Sequence, residues 1–442
     1  ASAILREDGY EGVYMLCSRR ELLQRRLAET ADEAVAEQLR LQLTRLDDAI
    51  DRVGGQRHCL ASRLFWHTDL ERARATAQAE KKPILSLRML GNLTEYYSCA
   101  NSRFFRTTLY ANAEIAAYLR EHYVLHWESV RPVPRITIDF GDGRVVERTI
   151  TGNSAHYVLT PEGRPLDVLP GLYGPAEFLG HLRRGVQWNV EFEAQPVSDQ
   201  ETWLAQKHAE ARDALLARWE AELRQVAPER LGPELATAPN VPTPAQQAAT
   251  AEVALNAAPA APPAAEAARV AVTKARIEAP MIRDLAALRQ SLEQIAPPNL
   301  DRLEAATDEA TWNLLAALHA EGAKLDASSR QLVLNRTPQD PQEALRAMRL
   351  AVSKAFVEDP MLRMVRNLEN SIALDSVRNE YQLHRRIHEW FADSQPTADL
   401  AALNERVYSE LFLTPSSDPW LGLVPADTYS ALPNGGISHN RQ

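Results

Sequence analysis

The feature that most constrains the fold is an apolar run that leads through a loop into a helical pattern opened by a single cysteine. Residues 83–90 have the composition of a buried strand, and residues 101–121 recur at helical spacing after Cys99. A cysteine at a helix N-terminus meets the positive end of the helix dipole and free backbone N–H groups, which favour the thiolate. The pattern therefore predicts a strand, a loop and a helix, with Cys99 at the start of the helix and its pKa lowered.

Strand and helix patterns alternate along the surrounding sequence, from residue 60 to about residue 185. Thr68 or Asp69 can cap a helix that runs through Lys81. The turn Gly141-Asp142-Gly143 predicts a hairpin, because Asp-Gly supplies the positive dihedrals of a tight turn. Further strands are predicted at 123–127 and 155–159, and a further helix from Pro175. Helices that alternate with strands indicate an α/β sandwich.

The flanking sequence is helical in pattern. Apolar residues recur at helical spacing over residues 20–53 and stop at Gly54-Gly55, so we expect a helical hairpin or an arm before the sandwich. A Pro/Ala-rich stretch interrupts the C-terminal half and predicts a weakly structured linker. The predicted divisions are a helical arm (1–59), the α/β domain (60–188), an amphipathic helix (189–226), the linker (227–268), a helical domain (269–411) and an irregular tail that packs back as a strap (412–442).

Composition and missing motifs exclude several classes of protein. The net charge of −10 argues against a general nucleic-acid binder, which usually has a basic surface. No apolar run approaches the ~18 residues that a membrane span needs, so we predict no transmembrane segment. The sequence has no phosphate-binding Gly-x-x-x-x-Gly-Lys-Ser/Thr loop, no Gly-x-Ser-x-Gly elbow and no Cys-x-x-Cys-His haem motif. No cofactor is therefore predicted.

Residues from about 60 to 188 resemble the thioredoxin superfamily. The resemblance rests on motifs that keep the family's order: Lys81-Lys82-Pro83, Cys99-Ala100-Asn101-Ser102, Tyr110 to Ile115, Val158 to Gly163 and Pro170-Gly171-Leu172. A Cys-x-x-Ser variant also occurs in the anterior gradient branch of protein disulfide isomerases. The resemblance implies a thioredoxin-like α/β sandwich, here with an N-terminal helical arm and a mostly α-helical C-terminal half.

Two departures from the family's pattern affect the active site that the resemblance implies. Ser102 stands where the resolving cysteine would be, and Ser154 stands where the family has a cis-proline, for which Pro134 is the alternative candidate. Ser102 can donate a hydrogen bond to a thiolate but cannot attack a mixed disulfide. The site should therefore capture, isomerise or hold a thiol partner. The alternative is a scaffold in which Cys99 is simply buried, which we favour slightly.

His156 is the remaining candidate near this site. It lies close to the position of the family's proline loop, and from there it can face Cys99. The alternative, which we favour, is a hydrogen-bonded histidine within a strand.

A second constellation lies far along the chain, at Glu380, His384 and His388. Spacings of four residues put the three side chains on one helical face, and two histidines at i and i+4 can share a metal ion. Arg385 follows His384, so the general-base glutamate of His-Glu-x-x-His is absent and metalloprotease chemistry is not indicated. We favour a polar helical face over a metal site.

Three cysteines allow one disulfide bond and one free thiol. We expect Cys17 to pair with Cys59 and leave Cys99 free, and three unpaired thiols are an equally good interpretation. The sequence begins at Ala1, which a cleaved signal peptide, trimming, or removal of Met alone would each explain. We expect a periplasmic or secreted protein, with a cytoplasmic one as the alternative.

These features predict an accessory protein rather than an enzyme. A degenerate thioredoxin-like domain would dock on partner proteins through its helical segments, in a larger complex or as a homo-oligomer, without nucleic acid. The alternative is a thiol-disulfide exchange or isomerase factor that uses Cys99.

Overall fold

The computed structural model describes residues 6–149, 151–231, 300–334, 354–393 and 398–421, with the backbone alone for 354–364. From residue 232 onward the predicted Pro/Ala-rich linker lies outside the described residues, as does the tail beyond residue 421. Within the described residues, no helix is both long and apolar enough to cross a membrane.

The N-terminal arm is a pair of helices, α1 (Tyr10–Glu29) and α2 (Glu33–Gly54). The helical pattern predicted over residues 20–53 breaks before Asp32, whose carboxylate accepts hydrogen bonds from the first free N–H groups of α2. Gly55 ends α2 in the left-handed conformation at φ 74°. A short helix, α3 (Cys59–Ser62), follows.

The arm holds two of the three cysteines. Cys17 and Cys59 are buried in the same apolar cluster, together with Ile50, Val53 and Phe65. All three cysteines of the chain are free in the structure. The predicted Cys17–Cys59 bond is thus not formed here, and the three-thiol alternative describes the structure. Burial raises the pKa of both Cys17 and Cys59, so neither is prone to react.

A mixed five-stranded sheet forms the centre of the molecule, in the order β1-β3-β2-β6-β7. The first three of these strands run parallel to one another, while β6 is antiparallel to β2 and β7 is antiparallel to β6. The sequence did not predict β7. The sheet strands are β1 (Trp66–His67), β2 (Ile84–Leu90), β3 (Val124–Arg131), β6 (Ser154–Leu159) and β7 (Pro165–Pro170).

The remaining two strands, β4 (Arg135–Asp139) and β5 (Val145–Thr149), pair only with each other. They form the predicted hairpin as a separate two-stranded ribbon. Every residue of β4 is exposed, so the hairpin extends away from the central sheet into solvent.

Every residue of β2, β6 and β7 is buried, because helices cover both faces of the sheet. Asp69, not Thr68, caps the first of these helices. The helix predicted over 101–121 is interrupted by a π-helical turn at Phe105–Leu109, and Asn112 caps a new helix after it. The helices are α4 (Leu70–Glu80), α5 (Ala100–Phe104), α6 (Ala113–His122), α7 (Pro175–Glu193) and α8 (Gln200–Val226).

The C-terminal half is helical where it is described. Its apolar residues, among them Ile372, Ile387 and Tyr408, belong to the same hydrophobic cluster as the sheet. The fold is therefore mixed α/β with a mostly helical C-terminal half and a core common to both. The helices are α9 (Leu300–Ala306), α10 (Glu309–Leu318), α11 (Ala327–Leu334), α12 (Lys354–Arg378), α13 (Arg385–Ala392) and α14 (Leu400–Arg406), with π-helical turns at Asn379–His384 and Val407–Leu411.

Residues 412–421 pack back against the sheet as an irregular strap. The guanidinium of Arg131, at the end of β3, donates hydrogen bonds to the carbonyl oxygens of Thr414, Pro415 and Asp418. Leu421 is buried at the strap's end. The strap that we expected from the sequence is thus present in the described part of the tail.

Candidate functional site

Cys99 occupies the N-cap position of α5, as the sequence predicted. Its Sγ accepts a hydrogen bond from the backbone N–H of Ser102 at 3.3 Å. The Ser102 hydroxyl donates to the backbone carbonyl oxygen of Cys99 at 3.0 Å, and not to the sulfur as we expected. Both residues are 0% exposed. The helix start therefore holds the thiol in place but out of reach of solvent.

Two layers of chain cover this helix start. In the first layer, Asn101 donates a hydrogen bond to Ser154 Oγ at 2.8 Å. Gly152 lies so near that a Cβ on it would be 3.1 Å from the backbone nitrogen of Ala100. In the second layer, the hydroxyl of Tyr408 donates to the carbonyl oxygen of Asn153 at 3.2 Å.

The strap joins these layers, because the Asn153 side chain donates to Thr414 Oγ1 at 3.1 Å. Residues 152–154 and the strap therefore cover the helix start together, and we call them the lid over Cys99.

Ser154 takes the place beside the cysteine motif where the resemblance puts a proline. It is the first residue of β6 and contacts Asn101. Pro134, the alternative, immediately precedes β4, and no peptide bond of the described residues is cis. Pro134 is therefore not a cis-proline opposite Cys99.

The loop before Cys99 is held by a buried arginine. The Arg106 guanidinium donates to the carbonyl oxygens of Leu93 and Glu95, at 2.9 and 2.8 Å, and to Ser98 Oγ at 3.0 Å. Burial lowers the pKa of Arg106 to about 9. The long loop is thus fixed against the helix start.

His156 is buried in the core beneath α7. Its Nε2 lies 2.7 Å from the hydroxyl oxygen of Tyr110, and its ring packs against Phe105 and Phe178 with centroids 4.6 and 4.9 Å apart. Burial lowers its pKa to about 3. His156 is thus a neutral, hydrogen-bonded strand residue that contacts Tyr110, Phe105 and Phe178.

The second constellation is larger than the sequence suggested. Glu380, His384 and His388 come together as predicted, on the π-helical turn and α13. Three further buried side chains join them from β7, α7 and α8, and the sequence analysis missed all three: Asp167, His181 and His208. A carboxylate within an apolar strand was the available signal for Asp167, since such a group is seldom buried unless it is paired. We call these six residues the buried histidine cluster.

His384 lies at the centre of the buried histidine cluster, between two carboxylates. Its Nδ1 is 3.1 Å from Glu380 Oε2, and its Nε2 is 2.9 Å from Asp167 Oδ1. His181 Nε2 also lies 3.1 Å from Glu380 Oε2. Arg184 donates to His181 Nδ1 at 2.7 Å and lies 3.5 Å from Asp167 Oδ2. Every charged member of the cluster therefore has a partner of opposite charge.

The electrostatics follow from this arrangement. Burial lowers the pKa of His384, but Asp167 and Glu380 outweigh burial and raise it to about 9. Burial raises the pKa of the two carboxyl groups, but His384 holds that of Asp167 well below its usual range, and His181 with His384 does the same for Glu380. The cluster thus holds an imidazolium between two carboxylates.

The other three histidines of the cluster have lowered pKa values, and burial is the largest cause for His181 as well as for His208 and His388. His208 Nδ1 lies 2.8 Å from His388 Nδ1, and His208 Nε2 lies 2.9 Å from the carbonyl oxygen of Leu166. Burial lowers the pKa of His208 to about 4, and burial together with the charge of His384 lowers that of His388 well below its usual range.

A cleft of about 370 Å³ between α7, α8 and α13 leads from the surface to this cluster, and Glu380 and His388 are part of its wall. Three cations and an indole also line it: Arg184, Lys207, Arg218 and Trp188. Two sets of three cluster residues have ligand atoms within 4.8 Å of one another, Asp167 with His384 and His388, and His181 with Glu380 and His384. The cluster is thus the part of the described structure with the residues to hold a metal ion.

The comparisons with known proteins do not decide between these two sites. No family model, no curated protein and no solved structure matches the chain.

Proposed function

We propose that this protein is an accessory protein that binds other proteins, built on a degenerate thioredoxin-like domain. The observation that carries the proposal is the complete burial of Cys99 beneath Gly152, Ser154 and the strap. A thiol that exchanges disulfides must reach the sulfur of its partner. With Ser102 in place of a resolving cysteine as well, the domain serves better as a scaffold than as a catalyst.

The sheet supports the thioredoxin-like part of the proposal. Its order, β1-β3-β2-β6-β7, with three parallel strands followed by two antiparallel ones, agrees with the fold that the resemblance implies. Cys99 also begins the helix that follows the central strand β2 after a loop. Of these features, the position of Cys99 at the start of a helix after a strand and a loop is the one that the sequence pattern led us to expect.

The hairpin supports the binding part of the proposal. Ile136, Ile138 and Phe140 stand at alternate positions on one face of the ribbon and are 41–55% exposed. Val146, opposite Ile138, lies on the same face. An isolated two-stranded ribbon is marginally stable in water, and exposed apolar patches mark interaction sites. This face is therefore where we expect a protein partner to dock.

The test compares two glutamate substitutions on the same strand. Ile138→Glu alters the apolar face, whereas Thr137→Glu places the same charge on the opposite face, and both positions are exposed. Proteins retained by the wild type from an extract of its native source should be retained by Thr137→Glu and lost with Ile138→Glu. Equal retention by both variants, or none by the wild type, would contradict the proposal.

The second candidate function is thiol-disulfide exchange through Cys99, which the N-cap position favours. It requires the lid to open. Peptide mapping after alkylation of the native protein distinguishes the two functions, since Cys17 and Cys59 are resolved as separate peptides. Our proposal expects Cys99 to remain unlabelled until the protein unfolds, and rapid labelling in the native protein would favour exchange.

A further inference from the structure

Asp167, His384 and His388 bring two imidazoles and one carboxylate to one point. One ligand atom of each lies within 4.8 Å of the others, and all three residues are buried. Two histidines and a carboxylate are a ligand set for divalent transition metals, in both zinc and non-haem iron sites. Asp167 comes from β7, 217 residues before His384, so the fold and not the helical repeat alone creates this set.

His384 is oriented as a metal ligand requires. Its Nδ1 lies 3.1 Å from Glu380 Oε2, and its Nε2 faces Asp167 Oδ1 at 2.9 Å. A ligating histidine usually donates its other N–H to a carboxylate, which fixes the ring and its tautomer. With the Nδ1 hydrogen donated to Glu380, the Nε2 of His384 is left to bind an ion, which would replace the hydrogen that now lies between Nε2 and Oδ1.

His388 is oriented by a chain of two hydrogen bonds. The carbonyl oxygen of Leu166 can only accept, so a neutral His208 carries its hydrogen on Nε2. The Nδ1 of His208 must then accept from the Nδ1–H of His388, 2.8 Å away. This assignment, made from the hydrogen bonds, leaves the Nε2 of His388 with a free lone pair.

A metal site with three protein ligands leaves a coordination position open, and the cleft is the side from which that position can be filled. His388, one of the three proposed ligands, and Glu380 form part of the cleft wall, so the cleft adjoins the cluster on that side. Structural zinc sites are closed by four protein ligands, whereas catalytic ones leave the fourth position to water or substrate. This arrangement therefore resembles an open site more than a structural one.

We propose that Asp167, His384 and His388 bind one divalent transition-metal ion of the Zn²⁺ class, with Glu380 and His208 as the groups that orient the two histidines. This site is separate from the hairpin and from Cys99, and so it does not depend on the proposed function.

The test is titration of the chelator-treated full-length protein with Zn²⁺ by calorimetry, and with Co²⁺ by its visible absorption. We expect one ion per chain. Asp167→Asn and His388→Gln should each weaken binding more than tenfold, and Glu380→Gln about 10–100-fold, as is typical when an orienting partner is lost. His156→Gln is the matched control, because it alters a buried histidine outside the buried histidine cluster and should bind as the wild type does.

Absence of stoichiometric binding by the wild type, with Fe²⁺ and Mn²⁺ tried as well, would overturn the proposal. So would unchanged affinity in folded Asp167→Asn and His388→Gln. Circular dichroism establishes which variants fold. If a ligand variant does not fold, the wild-type titration and Glu380→Gln still decide the matter, because stoichiometric binding that Glu380→Gln leaves unchanged would place the ion elsewhere.

Discussion

Asn101 and Ser154 are 53 residues apart in the chain, and the Asn101 side-chain amide donates to Ser154 Oγ at 2.8 Å. The bond ties the start of α5 to the start of β6, and it closes the chain over Cys99. Both residues are fully buried. Their pairing is the direct contact between the cysteine motif and the position where the resemblance puts a proline.

Replacing Ser154 measures how much this hydrogen bond contributes to the stability of the fold. Ser154→Ala removes the buried acceptor to which Asn101 donates, so we expect a loss of about 1–3 kcal/mol in the free energy of unfolding. Ser129→Ala, which removes an exposed hydroxyl from β3, should stay within about 0.5 kcal/mol of the wild type. Urea denaturation measures both. Equal effects would mean that the Asn101–Ser154 bond adds nothing to stability.

Two glycines should respond in opposite directions to the same substitution. A Cβ at Gly152 would lie 3.1 Å from the backbone nitrogen of Ala100 and 3.2 Å from that of Asn101. Gly152→Ala should therefore cost about 1–3 kcal/mol of stability. Gly180, in the interior of α7, has nothing within 4 Å of an added Cβ, so Gly180→Ala should stabilise the protein by about 0.5–1 kcal/mol. Thermal unfolding of the pair checks both signs, and a stable Gly152→Ala would show that the lid is loose.

The strap should control access to Cys99. Arg131→Ala removes the hydrogen bonds to Thr414, Pro415 and Asp418, so local opening of the lid becomes easier and alkylation of Cys99 should speed up by about tenfold or more. Arg40→Ala removes exposed ion pairs to Glu33 and Glu37 in the N-terminal arm and should leave the rate unchanged. Mass spectrometry of the labelled peptides gives the rates. Equal rates in the two variants would mean that the strap does not gate the thiol.

The parts of the fold that the sequence predicted well are those set by neighbouring residues. Asp69 caps α4, Cys99 begins α5, and an Asp-Gly turn joins β4 to β5, each from a local pattern. The π-helical turn at Phe105–Leu109 has no such pattern, since its residues suit an α-helix equally well. The single helix predicted over 101–121 is therefore wrong, because the structure has two shorter helices there.

In the candidate sites, too, the sequence predicts what neighbouring residues set and misses what the tertiary fold brings together. The spacing of Glu380, His384 and His388 was visible in the sequence, because one helix carries all three. Their partners Asp167 and His208 come from a strand and another helix and meet them only through the tertiary fold. The burial of Cys99 likewise depends on the strap, whose residues are more than 300 positions away. The hydrogen bond from Asn153 to Thr414 is one such contact, and no local pattern encodes it.

His156 should make stability depend on pH. Burial lowers its pKa from 6.5 to about 3 in the folded protein. Between these pH values the unfolded chain binds a proton that the folded protein does not. The stability from this group is therefore fully present above pH about 6.5 and falls by about 1.4 kcal/mol for each unit of pH below it, until about pH 3.

A variant that cannot titrate isolates this contribution. His156→Gln keeps a polar group facing Tyr110 but does not titrate. We expect this variant to be less stable than the wild type at pH 7 but to lose less stability on acidification. The difference in free energy of unfolding between the two proteins should shrink by about 2 kcal/mol between pH 6.5 and pH 5. Urea denaturation at both pH values measures it, and the other titrating groups, which are common to both proteins, cancel in the comparison. A difference that stays constant with pH would mean that His156 binds its proton as readily in the folded protein as in the unfolded chain.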